Sequence, residues 1–462
     1  MDGKFMRESP FFLDEAVNPG KTAPRLRIAV LCAHSHPLGP LGRRDTGGMS
    51  VYIREMSRAV AARGHRVDLF VGEPPRGLGS QGSEYTKQEL EDHLGPNVHW
   101  VSVPCETAAP RDPLEQVKTA EAFRRAVLGA CRGRRPFDLV FSHYWLSGLA
   151  GLYTAQALGA PHVVMFHTLA QSKTEALGRS VDAPCRLCAE RLVAARSHGV
   201  VAATEREKDV LETHYGVHAE RVAVVPCGVD MHVFRPGDGF GARKRLGLPL
   251  DAAVFLFVGR LDPVKGLDRL LDAFSRLPRS VPARLVVVGG DASEEERLKE
   301  FRDLAETLGV SKQVIFSGRI DHCRLPDFYA AADALVVASH YESFGLVALE
   351  ALASGRPVIG PPVGVLPEVL SSPVCGVLLE DNSAQHLLGG MTILLERKGR
   401  QRNGEAALRR RIARRYSWDR VAHDLERCFH RVLETSTWHE TRRTSSHGFG
   451  RCSDYRCASG RP

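Results

Sequence analysis

The chain has 462 residues, 43% of them hydrophobic and 25% charged, with a net charge of +8. That balance is ordinary for a soluble globular protein and long enough for two or three domains, each with its own core. No apolar run approaches the ~20 residues needed to span a bilayer, and the first 20 residues lack the continuous apolar stretch of a secretory signal, so a cytoplasmic location is expected.

The pattern of elements begins sharply after a flexible lead-in, 1–24. Residues 26–32 (LRIAVLC) predict a buried strand, 34–50 (HSHPLGPLGRRDTGGMS) a long glycine-bearing loop, 51–63 an amphipathic helix and 67–71 the next strand. The Gly-, Pro- and charge-rich stretch 73–97 reads as a loop excursion. Further strands are predicted at 98–103, 138–142, 162–166, 199–203 and 222–225. The pattern then restarts. A strand at 254–258 is followed by GRLDPVKGLD (259–268), a helix to about Leu277, and strands at 284–288, 314–317, 334–337 and 357–359. Apolar strands alternating with helices give an α/β fold, here two doubly wound, Rossmann-like domains. The expected boundaries are 25–235 and 236–415, with a joint near 234–249, a closing amphipathic helix over 416–435 and a disordered basic tail over 436–462. Two such domains face each other across a cleft at the carboxyl ends of their strands, where open α/β sheets bind ligands.

Nine Lys and Arg fall within 397–415, and five Arg follow Thr441. No aromatic residue interleaves the first cluster, so nucleic acid is not an expected partner. A solvated helix face plus a loose tail is the reading; weak attraction to an acidic membrane surface is the alternative. The eleven cysteines are scattered. Cys185 and Cys188 form one CxxC with no second pair at zinc-ribbon spacing, so free thiols are expected and no metal site is assigned. Oligomeric state, a dimer included, is open.

Chemistry-bearing residues cluster at strand exits. HYESFGLVALEALASGRPVIG (340–360) runs from a strand through a polar turn into an apolar helix starting near Phe344. Glu342 and Glu350 are eight residues apart, roughly two helical turns, and flank a helix N-terminus whose free N–H groups suit a diphosphate. Carboxylates suit sugar hydroxyls, so one short segment is able to hold a nucleotide-sugar; an ordinary strand–turn–helix with solvated glutamates is the bland reading. Arg260 and Lys265 follow the strand at 254–258 and can neutralise charge on a departing diphosphate; a solvated pair at a turn is the alternative. Gly47 and Gly48 end a loop before a helix, where backbone can approach a phosphate. His34, Tyr144, His167 and Thr168 follow successive strands of the first half and would line the opposing wall.

Together these pieces resemble the retaining GT-B glycosyltransferases that use nucleotide-sugars, glycosyltransferase family 4. The matching segments are 45–70, HYWLSGLAG (143–151), VPCGVDMHVFRP (225–236), VGRLDPVKGLDRLLDAF (258–274) and 340–360, spread over about 26–433. Within the family the chain is most similar to the mycothiol-pathway group that attaches N-acetylglucosamine to inositol phosphate, and to sucrose(-phosphate) synthases. The resemblance implies transfer of a hexosyl or N-acetylhexosaminyl group from a nucleotide diphosphate sugar, UDP-linked by default, to an acceptor hydroxyl, with retained configuration and no required cofactor. It implies a catalytic set of His167, Arg260, Lys265 and Glu342. It also implies donor contacts from Gly47, Gly48, Phe344, Gly345, Leu346 and Glu350, and acceptor contacts from His34, Ser50, Tyr144, Thr168 and Arg186.

Three positions depart from the family pattern. Ser50 stands where the inositol-phosphate group has Asn; the loop PCETAAPRDP (104–113) lacks that group's phosphate-binding Lys, with Arg111 as a substitute; and Gly364-Val365 replaces the common Gly-Gly. A nucleotide-sugar epimerase, a non-catalytic nucleotide-sugar binding protein and a phosphorylase are the competing functions. Tyr144, Thr168 and Arg186 argue against the first, intact Arg260, Lys265, Glu342 and Glu350 against the second, and the short chain against the third.

Overall fold

A computed structural model describes residues 24–39, 41, 46–73, 86–105, 113–180, 182–290, 294–397 and 405–436. The lead-in 1–23, Arg111, the tail from 437 and most of the run 397–404 lie outside these residues. Among the described residues, thirteen strands form two sheets. The first holds β1 (Arg27–Cys32), β2 (Arg66–Glu73), β3 (Val98–Pro104), β4 (Leu139–His143), β5 (His162–Met165), β6 (Gly199–Ala202) and β7 (Val222–Val224) in the order 3-2-1-4-5-6-7. The second holds β8 (Ala253–Val258), β9 (Ala283–Val288), β10 (Val314–Gly318), β11 (Ala334–Val336), β12 (Val358–Gly360) and β13 (Gly376–Leu378) in the order 10-9-8-11-12-13. Neighbouring strands are parallel throughout.

The strands are nearly continuous apolar runs because helices cover both faces, so every side chain must be able to leave water. RIAVLC of β1 and AVFLFV of β8 are buried along almost their whole length. In each sheet the order reverses once, between β1 and β4 and between β8 and β11, which opens a crevice at the carboxyl ends.

The chain ends by tying the two lobes together. The helix Glu405–Tyr416 lies on the second lobe, where Arg409 donates to the carbonyls of Phe234, Met231 and Ala353. A break at Ser417, whose hydroxyl accepts from the Arg420 N–H, starts the helix Trp418–Thr435. That helix crosses to the first lobe: Arg63 pairs with Glu426 at 2.7 Å, and Phe429 meets Phe141 edge-on at 5.3 Å. The expected closing helix is therefore present, starting two residues later. Much of the described basic run is used internally, since Arg411 donates to Ser371 and Arg415 pairs with Glu368 at 2.9 Å.

Two elements differ from expectation. The stretch 73–97 contains the helix Lys87–Leu94, begun by a reciprocal cap in which Thr86 accepts from the Glu89 N–H and Glu89 accepts from the Thr86 N–H. The short strand β13 was not anticipated; its three residues carry no alternation to read.

Candidate active site

The two crevices meet in one cleft of about 440 Å³, walled by the loops after β1, β4 and β5 on one side and after β8, β9, β10 and β11 on the other. The helix Gly48–Ala62 starts three residues earlier than its apolar pattern, at Gly48 itself. A Cβ on Gly48 would lie 3.3 Å from the Leu346 side chain at the start of the helix Leu346–Ala353. Two helix N-termini therefore face each other across the cleft, each offering backbone donors and a positive dipole end.

On the second-lobe wall, Lys265 donates to Glu342 Oε1 at 2.6 Å, and the Ser339 hydroxyl donates to the same oxygen at 2.6 Å. The loops carrying them are locked: the His340 N–H donates to the Val264 carbonyl at 2.8 Å. Gly266, next to Lys265, has φ +65° and approaches so closely that a Cβ would lie 2.1 Å from the Ala338 oxygen. Only glycine fits there. Arg260 is partly exposed in the cleft, 3.8 Å from Asp262. Phe344 and Gly345 precede the helix, and Gly364 closes over them. Its φ is +53°, a Cβ there would lie 2.2 Å from the Phe344 oxygen, and the Val365 N–H donates to that oxygen at 2.7 Å. Val365 itself is fully buried, which gives the Gly-Val departure a packing role.

Glu350 lies deeper. Its two oxygens accept from His322 Nε2 at 2.7 Å and from the Tyr329 hydroxyl at 2.7 Å. Burial disfavours the charged imidazole of His322, but the Glu350 carboxylate outweighs it and the His322 pKa is raised. A histidine whose folded pKa is raised contributes its full pairing energy below its unfolded pKa and loses it as pH climbs through the folded one. The melting-temperature gap between the native chain and His322→Gln should thus be larger at pH 6 than at pH 9. A gap that does not change with pH would mean His322 is neutral in the folded protein.

The first-lobe wall is built on strain. Tyr144 and His167, the residues leaving β4 and β5, have φ of 75° and 60°, left-handed values that cost non-glycine residues energy and concentrate at functional sites. His34 stacks on Tyr144, centroids 5.0 Å apart. His167 Nε2 lies 3.0 Å from His143 Nδ1, and the buried Tyr52 ring meets both imidazoles edge-on. Burial lowers the His167 pKa to about 3, and burial with the neighbouring His167 holds that of His143 well below its ordinary range. A neutral imidazole at His167 can donate or accept a hydrogen bond but offers no positive charge.

His34, Gly47, Gly48, Tyr144, His167, Thr168, Arg260, Lys265, Glu342, Phe344, Gly345, Leu346 and Glu350 all line the cleft. Ser50 and Arg186 do not. Ser50 is fully buried within the first turn of its helix, 2.5 Å from the Ser35 hydroxyl. Arg186 lies behind Tyr144, its guanidinium 5.1 Å from that ring, bound to Glu190 at 2.7 Å, Asp182 at 2.9 Å and the Thr168 carbonyl at 2.8 Å. With its donors so engaged, it shapes the wall from behind instead of reaching into the cleft. Sequence reasoning missed Ser339, His322 and the Gly289-Gly290 pair that also line or support the site. The glycine pair directly follows β9 and was legible as a strand exit. Among the described residues, no group of three or more His, Cys, Asp or Glu side chains is arranged to hold a metal ion.

Two doubly wound sheets facing across a cleft of cations, carboxylates and helix N-termini define the GT-B glycosyltransferase class. Residues 46–233 match the pattern of Glycosyltransferase Family 4, and 241–411 that of Glycosyl transferases group 1. The D-inositol 3-phosphate glycosyltransferase of Xylanimonas cellulosilytica is 37% identical over 414 residues, 87% of this chain and 96% of that one. The enzyme of that name from Streptomyces bingchenggensis is 38% identical over 419 residues, 86% of this chain and 87% of that one. Among solved structures, sucrose-phosphate synthase from Thermosynechococcus elongatus superposes with a TM-score of 0.78 at 27% identity, covering 89% of this chain and all of that one. Anabaena HepE in complex with UDP and glucose shares the fold, with a TM-score of 0.67 at 20% identity over 88% of this chain and 100% of that one. The chain belongs to glycosyltransferase family 4 and is a glycosyltransferase; these relatives give no support to an epimerase or a non-catalytic binding protein. No helix among the described residues is long and apolar enough to cross a membrane.

Proposed function

We propose that the enzyme moves a hexosyl or N-acetylhexosaminyl group from a UDP-linked donor to a hydroxyl of a phosphorylated cyclic polyol, inositol 3-phosphate first among them, with retention. The observation that carries this reading is the convergence of Arg260, Lys265, Glu342 and Glu350 on one cleft at the switch point of the second sheet. In this reading Arg260, Lys265 and the N-terminus of the helix Leu346–Ala353 take up charge growing on the β-phosphate as the anomeric bond breaks. Glu350, fixed by His322 and Tyr329, holds the ribose; Glu342 and His167 hold the transferred sugar. Among the described residues, the carboxylates that line the cleft are Glu342 and Glu350, and both already accept hydrogen bonds from neighbours. Neither is a free nucleophile, which favours front-face attack with the departing phosphate taking the acceptor proton. No cofactor or metal is part of this proposal, and a cytoplasmic location is. The buried, Ser35-bound Ser50 favours a second reading in which the acceptor is another small phosphorylated sugar, such as fructose phosphate.

The test is a donor-by-acceptor screen with EDTA, read by mass spectrometry, with the product's anomeric configuration assigned by NMR. UDP-N-acetylglucosamine or UDP-glucose with inositol 3-phosphate should give a retained glycoside. Inversion, strict metal dependence or donor turnover without any acceptor product would overturn the reading.

A further inference from the structure

A second cavity, about 470 Å³, opens at the other end of the first sheet, lined by Arg27, Arg66, His99, Arg134 and Arg135 together with residues 100 and 101. Arg27 and Arg66 are the first residues of β1 and β2 and are paired in register. The cleft residues follow the last residues of the strands, so the cavity and the cleft are separated by a strand length, roughly 20 Å for six residues. The helix Pro113–Cys131 ends beside the cavity, and the turn leading to β4 carries Arg134 and Arg135.

Arg27 is held in place, and Arg134 and Arg135 are exposed beside it. The Arg27 guanidinium lies 4.3 Å from the Phe137 ring centroid, donates through Nε to the fully buried Asp68 at 2.9 Å and also donates to the Arg135 carbonyl. Arg66 reaches Asp68 only at 3.5 Å and is half exposed. The Arg134 guanidinium lies 6.0 Å from the Phe70 ring. The Asp138 carboxylate accepts from the Arg27 backbone N–H at 2.7 Å. Among the described residues four guanidinium groups and no carboxylate line the cavity, with Asp68 and Asp138 both bonded to Arg27. Burial and the cations Arg66, Arg27 and Arg134 hold the His99 pKa below its ordinary range against the pull of Asp68. Several guanidinium groups around a concavity, one of them fixed at its base, are the arrangement that recognises a phosphate dianion by paired N–H donors. Arg27, anchored on a ring and on a buried acid, sets that base.

We propose that this cavity is a phosphate-binding site for a small anion, distinct from the catalytic cleft, with Arg66, Arg134 and Arg135 as the groups that meet the ligand and Arg27 as the fixed base of the site. The shared chemistry is a phosphate dianion, which either inorganic phosphate or a phosphomonoester supplies.

The experiment uses the full chain with isotope-labelled histidine, the His99 signal being identified by its loss in His99→Gln. Inorganic phosphate and ribose 5-phosphate are titrated separately, with sodium chloride at matched ionic strength as control. The expected result is a saturable shift of the His99 signal and a raised His99 pKa with at least one phosphate probe. Saturation with both assigns the phosphate alone as the recognised group, and with ribose 5-phosphate only assigns a phosphometabolite. The response should weaken at least tenfold in the exposed pair Arg134→Glu/Arg135→Glu, which keeps its melting temperature and transferase rate. It should persist in Lys265→Ala, so that failure here is separable from failure of the transferase reading. An equal response to chloride, no response to either phosphate probe, or an unchanged response in the charge-reversed pair would overturn the proposal.

Discussion

Lys265→Ala is expected to lower kcat by at least ~100-fold while changing the donor KM much less. Removing one preorganised charge partner of a transition state typically costs 10²–10³ in rate, about 2.7–4 kcal/mol. Two features of this site place Lys265 at that level. Its ammonium is held 2.6 Å from Glu342, in loops locked by the His340–Val264 hydrogen bond, so little reorganisation remains when charge develops. The same substitution also leaves the Glu342 carboxylate with only Ser339 as a hydrogen-bonding neighbour among the described residues. An uncompensated carboxylate beside a departing diphosphate adds repulsion to the lost attraction. Lys265→Arg should recover part of the rate, since charge returns without the same point geometry. Initial rates over a range of donor concentrations separate the two parameters. A Lys265→Ala enzyme within fivefold of the native kcat would remove Lys265 from the charge-stabilising role.

The strand-exit logic explains why so much of this cleft was legible. Arg260, Lys265, His34, Tyr144 and His167 each follow an apolar strand in a parallel alternation, and topology alone brings such positions to one edge. The spacing of Glu342 and Glu350 likewise announced a helix start between them. What the spacing could not carry was the long-range partner of each acid. Lys265 lies 77 residues from Glu342, and His322 lies 28 from Glu350, on a turn whose sequence DHCR has no periodic signature. Arg186 was misplaced for a related reason: a helix-borne arginine next to a wall of polar groups looks the same in sequence whether it reaches the ligand or braces the wall. The difference lies in Asp182 and Glu190, each four residues away on the same helical face or its approach. That i, i+4 pair of acids was visible and is the feature that would have assigned Arg186 inward. The helix Lys87–Leu94 was similarly announced by its T-x-x-E start.

That bracing leads to the largest stability effect expected in the molecule. Glu190 is fully buried and accepts from Arg186 Nε at 2.7 Å, the Tyr215 hydroxyl at 2.6 Å and the Ala170 N–H at 3.0 Å. Breaking a buried charge pair by deleting one partner typically costs ~3–5 kcal/mol, because the remaining charge stays desolvated. Glu190→Ala leaves the buried Arg186 guanidinium with Asp182 as its one carboxylate among the described residues, and it also takes the acceptor from the Tyr215 O–H and from an N–H of the first turn of the helix Ala170–Leu177. The first-lobe unfolding transition in urea should therefore shift by an amount equivalent to about 3–5 kcal/mol. Arg186 also underlies the strained Tyr144, so Glu190→Gln, which keeps an acceptor but loses the charge, should raise the acceptor KM more than the donor KM. A Glu190→Ala chain destabilised by less than ~1 kcal/mol would show that this carboxylate is not the essential counter-charge, since that is the range of ordinary exposed ion pairs.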